Sequence, residues 1–149
     1  MNIKKELYNQ CFEFIENRYQ AVQNTIKEIQ VSLRSETKSS AGDKHETGRA
    51  MLQLEREKAG VQLAEIEKTK ALLSKVNIEN NLNKIGVGSV VFTTKSNYFI
   101  AISAGELKAK GDNFFAISAN TPMGQLLIGK AVGDVISFRA QAFKVTKVL

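Results

Sequence analysis

The feature that most constrains this chain is a pair of apolar seams in its first half. Both alternate steps of four and three residues, the spacing that places side chains along one face of a coiled-coil helix. The first seam consists of Ile15, Tyr19, Val22, Ile26, Ile29 and Leu33. The second consists of Leu52, Arg56, Ala59, Leu63, Ile66, Lys70 and Leu73, with two polar interruptions. Each seam therefore predicts a long amphipathic helix.

The two seams match each other as antiparallel partners, because their members pair with a constant sum of residue numbers. The pairs that share the sum 85 are Leu33 with Leu52, Ile26 with Ala59, Val22 with Leu63, and Tyr19 with Ile66. A constant sum places the reversal at residues 42–43, in a segment rich in turn and cap residues. We therefore predict a helical hairpin over residues 1–80 with its tip at 42–46.

The second half has a different pattern, with short β-branched and aromatic runs separated by Gly, Asp, Asn or Ser. These runs span residues 87–94, 98–103, 114–118, 135–140 and 143–149. A short helix is expected at Pro122–Leu127, because Thr121 is a good N-cap and proline is tolerated in the first turn. The sequence thus predicts an α+β protein, in which an antiparallel coiled-coil hairpin precedes a small antiparallel β domain over residues 84–149.

Positive charge is concentrated in this second domain. Residues 84–149 contain 8 Lys and Arg against 3 Asp and Glu, whereas residues 1–83 are nearly balanced. A basic domain favours a polyanionic partner, either nucleic acid or an acidic protein surface, although solubility alone explains the same charge equally well. The lysines that could form a basic patch are Lys108, Lys110, Lys130, Lys144 and Lys147.

Several classes of protein are disfavoured by what the sequence lacks. No stretch approaches the roughly 18–20 apolar residues that span a bilayer, and the charged start lacks the apolar region of a signal peptide. The single cysteine, Cys11, cannot form an internal disulfide. We expect a monomer in the reducing cytoplasm without membrane association. No phosphate-binding glycine loop, zinc-binding cysteine pair or serine-nucleophile elbow is present.

Chemistry could lie at the hairpin tip. Asp43 and Glu46 are three residues apart, which places both carboxylates on one face of the first turn of the returning helix. Such a pair can bind a divalent cation together with water, and it can equally serve as N-cap and capping-box partner. His45 is expected to be a solvated residue and Cys11 a packing residue. A rigid helix between them excludes a Cys–His nucleophilic pair.

The segment ISANTPMGQLLIGKAVGDVISF at residues 117–138, followed by FKVTKVL at 143–149, closely resembles the C-terminal domain of GreA/GreB transcript cleavage factors. In that family Ile-Ser is followed by Asn-Ser/Thr-Pro, Leu-Ile-Gly-Lys, Gly-Asp-Val and a final strand. The family's tip carries Gly-Asp, two residues and Glu, which Gly42, Asp43 and Glu46 match. The resemblance implies a coiled coil followed by an FKBP-like domain.

The resemblance also implies a transcription elongation factor that binds bacterial RNA polymerase at its secondary channel. The globular domain would dock at the rim, and the hairpin would enter the pore that holds the backtracked RNA 3′ end. Asp43 and Glu46 would help to hold the second magnesium ion of the polymerase active site, and its water, for phosphodiester hydrolysis. Such a protein would have no cofactor of its own and would be a stimulator of the polymerase's cleavage, not an enzyme.

One departure from the family supports a second hypothesis. After Glu46 the family continues with Asn-Ala-Glu-Tyr, whereas Thr47, Gly48, Arg49 and Ala50 follow here. This chain could therefore be a divergent member that occupies the channel and regulates transcription without stimulating cleavage. A third hypothesis, a peptidyl-prolyl isomerase or chaperone, follows from the FKBP-like domain. It is disfavoured because that domain has no Trp and few aromatic residues for a proline pocket.

Overall fold

The computed structural model describes residues 2–38 and 43–149, and the side chains of residues 2–35 and 46–149 among them. In chain order the elements are α1 (Ile3–Lys38), α2 (Asp43–Ser74), β1 (Val90–Thr93), β2 (Asn97–Ile100), β3 (Gly105–Ala109), β4 (Asp112–Ile117), α3 (Pro122–Leu127), β5 (Val135–Phe138) and β6 (Gln141–Val148). The predicted α+β order of a helical hairpin followed by a β domain is confirmed. Within the described ranges, no helix is long and apolar enough to cross a membrane.

By packing, the chain divides into two compact units, one of residues 15–70 and one of residues 1–14 with 71–149. This division follows which residues lie close together in space, whereas the boundary expected from the sequence follows the change from helices to strands. The beginning of α1, as far as Phe14, and the end of α2, from Ala71, therefore belong to the unit that contains the sheet.

The unit of residues 15–70 is held together by the predicted seam. Its buried core consists of Ile26, Ile29 and Ala59, with Val22, Leu33, Leu52 and Leu63 packed around them. Three of the four pairs with the sum 85 thus lie in one cluster, and the predicted antiparallel register is confirmed. The predicted reversal at 42–43 falls partly on residue 42, which lies outside the described residues.

Lys70, one of the polar interruptions of the second seam, makes a specific contact across the hairpin. Its Nζ lies 4.0 Å from the centre of the Tyr19 ring and 2.8 Å from Glu16 Oε2. A cation over an aromatic face is attracted by the negative face of the ring. The hydrogen bond from Lys70 also lowers the pKa of Glu16. This interruption therefore links the helices with charge instead of apolar packing.

The second unit is built on a six-stranded sheet with the order β3-β4-β2-β1-β6-β5. Its neighbouring strands are antiparallel, as the sequence predicts, except for β2 and β4, which run parallel. The cause is β3, which the sequence analysis missed. Because β3 carries the chain back along the sheet edge, β4 can return beside β2 in the same direction. Gly, Glu, Lys and Ala in β3 are weak strand formers, which hides this strand from propensity.

Each face of the sheet carries part of the core, since alternate side chains along a strand point to opposite faces. One face packs against α3 in a core of Ile85, Val91, Ile100, Leu127, Ile136, Phe143 and Val145. On the other face Val90, Phe99 and Phe114 are fully buried. Gln10 on α1 donates from Nε2 to the Lys108 carbonyl oxygen of β3 at 2.7 Å, which attaches the base of α1 to the sheet.

The structure around α3 and β5 can be compared with two expectations from the sequence. Helix α3 spans Pro122–Leu127 as predicted, and Thr121 Oγ1 accepts from the Gly124 backbone N–H at 3.0 Å. The run at 135–140 is a strand only as far as Phe138. Arg139 and Ala140 have φ values of 51° and 64°, which is the conformation of a two-residue type I′ hairpin turn.

Candidate functional site

The candidate site is the first turn of α2. Asp43 begins this helix, and Glu46 lies three residues later with an exposed side chain. The helical backbone therefore places both positions on one face, as the spacing predicts. The side chains of Asp43 and His45 lie outside the described residues, and the capping and metal-binding roles of the acidic pair stay predictions.

Arg49 links the two helices just below the tip. Its guanidinium donates from Nη1 to the backbone carbonyl oxygen of Leu33 on α1, at a distance of 3.1 Å. Arg49 lies three residues after Glu46, on the same side of α2. Arg49 is thus a cation at the position where the GreA/GreB tip sequence has Glu. The sequence analysis noted this substitution and missed the contact. The antiparallel register could have indicated it, because that register pairs position 49 with position 36, less than one turn from Leu33.

Two carboxylates on one helix turn would form only part of a magnesium site. Among the residues that the structure describes, no group of three or more His, Cys, Asp or Glu side chains is placed to hold a metal ion. Magnesium keeps several waters in an octahedral shell and is usually bound through one or two carboxylates together with substrate phosphates. The expectation from the sequence, that Asp43 and Glu46 bind magnesium held mainly by another protein, stays a prediction.

Cys11 has the properties of a packing residue, as the sequence predicts. Its side chain is fully buried, and burial raises the pKa of the thiol to about 12. The thiolate is the reactive form of cysteine, so the thiol is protonated at neutral pH and unsuited to nucleophilic chemistry. Packing against the surrounding side chains accounts for this residue.

The motif at residues 117–138, on which the family resemblance depends, is explained by local packing. A Cβ atom on Gly124 would lie 2.3 Å from the Ser118 carbonyl oxygen, so only glycine fits there. Asp134 accepts from the Ala131 backbone N–H at 2.9 Å and shapes the turn that leads into β5. These residues specify the fold of the domain and do not by themselves supply reactive groups.

Four of the five lysines that could form a basic patch lie toward opposite edges of the sheet, and the fifth, Lys130, lies in the loop between α3 and β5. Lys108 and Lys110 are on β3 and in the turn that follows it, at one edge, while Lys144 and Lys147 lie on β6, next to the other edge strand. Strands lie about 4.8 Å apart, so the three strands between β3 and β6 separate the two groups by roughly 20 Å. The positive charge of the domain is therefore distributed over two surfaces.

The comparisons with known proteins give a fold likeness and no family assignment. No family model matches the chain, and no curated protein matches it. One similar solved structure is the crystal structure of the GreA factor homolog 1 (Gfh1) protein of Thermus thermophilus, which is 20% identical in sequence to this chain. The match covers 93% of this chain and 94% of the Thermus chain, with a TM-score of 0.38. A second structure, of the transcription factor Gfh1, is 21% identical, covers 92% of each chain and has a TM-score of 0.37.

The fold itself is established by the order and pairing of this chain's own helices and strands.

Proposed function

We propose that this protein is a transcription elongation factor that binds bacterial RNA polymerase at the secondary channel and stimulates RNA cleavage in backtracked complexes. The observation that carries the proposal is the exposed Glu46 on the first turn of α2, three residues after Asp43, in a tip whose sequence resembles that of GreA/GreB factors. The resemblance of residues 117–149 to the same family supports it independently.

In this proposal the hairpin is a positioning device. Its two long helices are linked by the apolar seam and by Lys70, which contacts both Tyr19 and Glu16. A stiff arm can hold two carboxylates close to the backtracked RNA 3′ end, where positioning alone lowers a reaction barrier substantially. When bound, the polymerase's magnesium activates water for phosphodiester hydrolysis. Asp43 and Glu46 would orient that ion and its water from the side of the channel.

The test is RNA cleavage in stalled complexes of the cognate polymerase, with the parent and with the double variant Asp43→Asn, Glu46→Gln. Amides remain good caps but are poor magnesium ligands, whereas full loss of a cap costs about 0.5–2 kcal/mol. The variant should melt near the parent temperature and still bind polymerase, and it should lose the stimulation of cleavage. Full stimulation by the variant would show that the carboxylates are not the metal ligands.

A second candidate is a regulator that occupies the channel without stimulating cleavage. The contact of Arg49 with the Leu33 carbonyl oxygen favours it, because a cation held three residues after Glu46 changes the charge of the acidic face. In the same assay, such a parent protein would not stimulate RNA cleavage by the polymerase. It would instead inhibit a second, cleavage-stimulating factor by competing with it for the polymerase. The variant Arg49→Glu, which restores the family's acid, would then be expected to gain cleavage stimulation.

A further inference from the structure

The two edge strands of the sheet differ in how they are protected. An edge strand exposes unpaired backbone N–H and C=O groups, and proteins commonly guard such edges with charged side chains. The edge strand β3 carries Glu106 and Lys108, and the Lys108 carbonyl oxygen is occupied by Gln10. The opposite edge strand, β5, has the sequence VISF and carries no charge.

The outward backbone groups of β5 can be identified from its partner strand. Lys144 donates its backbone N–H to Thr94 Oγ1 at 3.0 Å, and its carbonyl oxygen accepts from the Thr94 N–H at 2.9 Å. Both groups of Lys144 therefore point away from β5. Its cross-strand partner Val135 must then point its own N–H and C=O out of the sheet. Ser137, two residues on and opposite Ala142, does the same.

The surface around this open edge is apolar and basic. The side chains of Val132 and Val135 are 59% and 63% exposed. Lys144 lies directly across from Val135, and Lys130 and Arg139 are exposed on either side of β5 in sequence. An extended chain that pairs with β5 would find free backbone donors and acceptors, an apolar side-chain contact and nearby cations.

We propose that β5 is a docking edge for an extended acidic segment of a partner protein, which adds to the sheet as a further strand. Main-chain hydrogen bonds to Val135 and Ser137 would provide affinity, and side-chain contacts would provide specificity, as in other cases of strand addition. This inference concerns the β domain and goes beyond the proposed function of the hairpin tip.

Charge complementarity selects an acidic segment over a second copy of this chain. Around β5 the cations Lys130, Arg139 and Lys144 outnumber the one acid, Asp134, so two copies paired through β5 would each bring net positive charge to the interface, which like-charge repulsion disfavours. An acidic strand, in contrast, would be attracted by all of these cations.

The experiment uses the full chain and a peptide of about eight residues, a typical strand length, in which pairs of Val alternate with pairs of Glu so that each face of the strand carries both. Binding is measured by calorimetry and mapped by amide NMR shifts. The test variant Ser137→Pro removes an outward N–H and leaves the ladder with β6 intact, since proline is tolerated where the N–H faces solvent. The matched control is Glu106→Pro on β3, because Glu106 lies two residues from Lys108 and shares its outward backbone orientation.

We expect the peptide to shift the amides of β5, and Ser137→Pro to weaken binding at least about tenfold. Glu106→Pro should bind like the parent, and the same peptide with Lys in place of Glu should bind weakly. If Ser137→Pro does not fold, an N-methylated Val-Glu peptide, which lacks donors for the edge, replaces it and should not bind.

Three results would overturn the proposal. In the first, the peptide does not bind the parent. In the second, Ser137→Pro or the N-methylated peptide binds as tightly as its unmodified counterpart. In the third, the parent is a dimer that Ser137→Pro converts to a monomer, which would identify a second copy as the occupant of β5.

Discussion

Ala140 adopts a backbone conformation that alanine rarely takes. Its φ of 64° lies in the left-handed region, where an L residue with a Cβ atom is disfavoured by about 1–2 kcal/mol. Glycine has no such penalty and loses about 0.5–1 kcal/mol in chain entropy on folding. The variant Ala140→Gly should therefore raise the free energy of unfolding by about 0.5–1 kcal/mol, as measured by urea denaturation.

The control for this prediction lies in the turn between β3 and β4. Gly111 has a φ of 83°, and a Cβ atom there would meet no other atom within 4 Å. The variant Gly111→Ala should lower stability by about 1 kcal/mol through backbone strain alone. If both variants shift stability in the same direction, the left-handed conformation is not the cause.

Elements of the fold differ in how far the sequence determines them. The hairpin register could be predicted, because a coiled-coil seam repeats locally and the constant sum relates the two helices directly. Helix α3 was predictable from Thr121 and Pro122, whose cap and first-turn preferences are also local. The parallel pairing of β2 with β4 could not be predicted, since it depends on β3, a strand of weak propensity that the fold stabilises through burial of Leu107 and Ala109.

The candidate site was predictable to a similar extent. The spacing of Asp43 and Glu46 placed both in the first turn of a helix, and the structure has that turn. The sequence indicates the contact of Arg49 with Leu33 only in part: the helix register brings the two positions close, but the hydrogen bond itself depends on the conformation of a long side chain at the helix surface. Local periodicity therefore positions the acids, and tertiary contacts determine which charges lie beside them.

The link between α1 and α2 at Lys70 predicts a pH dependence of stability. The hydrogen bond from Lys70 holds the pKa of Glu16 below its ordinary value of 4.5. A carboxyl whose folded pKa is lowered stabilises the folded state above the unfolded pKa, and this contribution is lost as the pH falls through the folded pKa. Glu16→Gln should therefore be less stable than the parent at pH 7, and the difference should shrink toward pH 3.

Chemical denaturation at both pH values measures this difference, and a double-mutant cycle provides the control. Lys70→Met retains most of the apolar stem and removes the cation, so Glu16→Gln should have a much smaller effect, and little pH dependence, in that background. An equal effect of Glu16→Gln in both backgrounds would indicate that the ion pair with Lys70 is not the cause. Even in the parent background, Glu16→Gln should change the free energy of unfolding only slightly, because ion pairs between partly exposed side chains contribute little and both of these are about one-third exposed.

At the scale of the whole molecule, the basic domain and the nearly neutral hairpin predict different electrostatic roles. The excess of Lys and Arg in residues 84–149 favours long-range attraction to an acidic surface, which salt screens over a Debye length of about 8–10 Å. Affinity for polymerase should therefore fall as salt rises from low to physiological strength, chiefly through the association rate.

Replacing Lys130 and Lys144 with Gln should reduce this salt dependence. The tip variant Asp43→Asn, Glu46→Gln should retain it, because docking and chemistry would use different parts of the chain. An affinity that is indifferent to salt in the parent would exclude a basic docking surface.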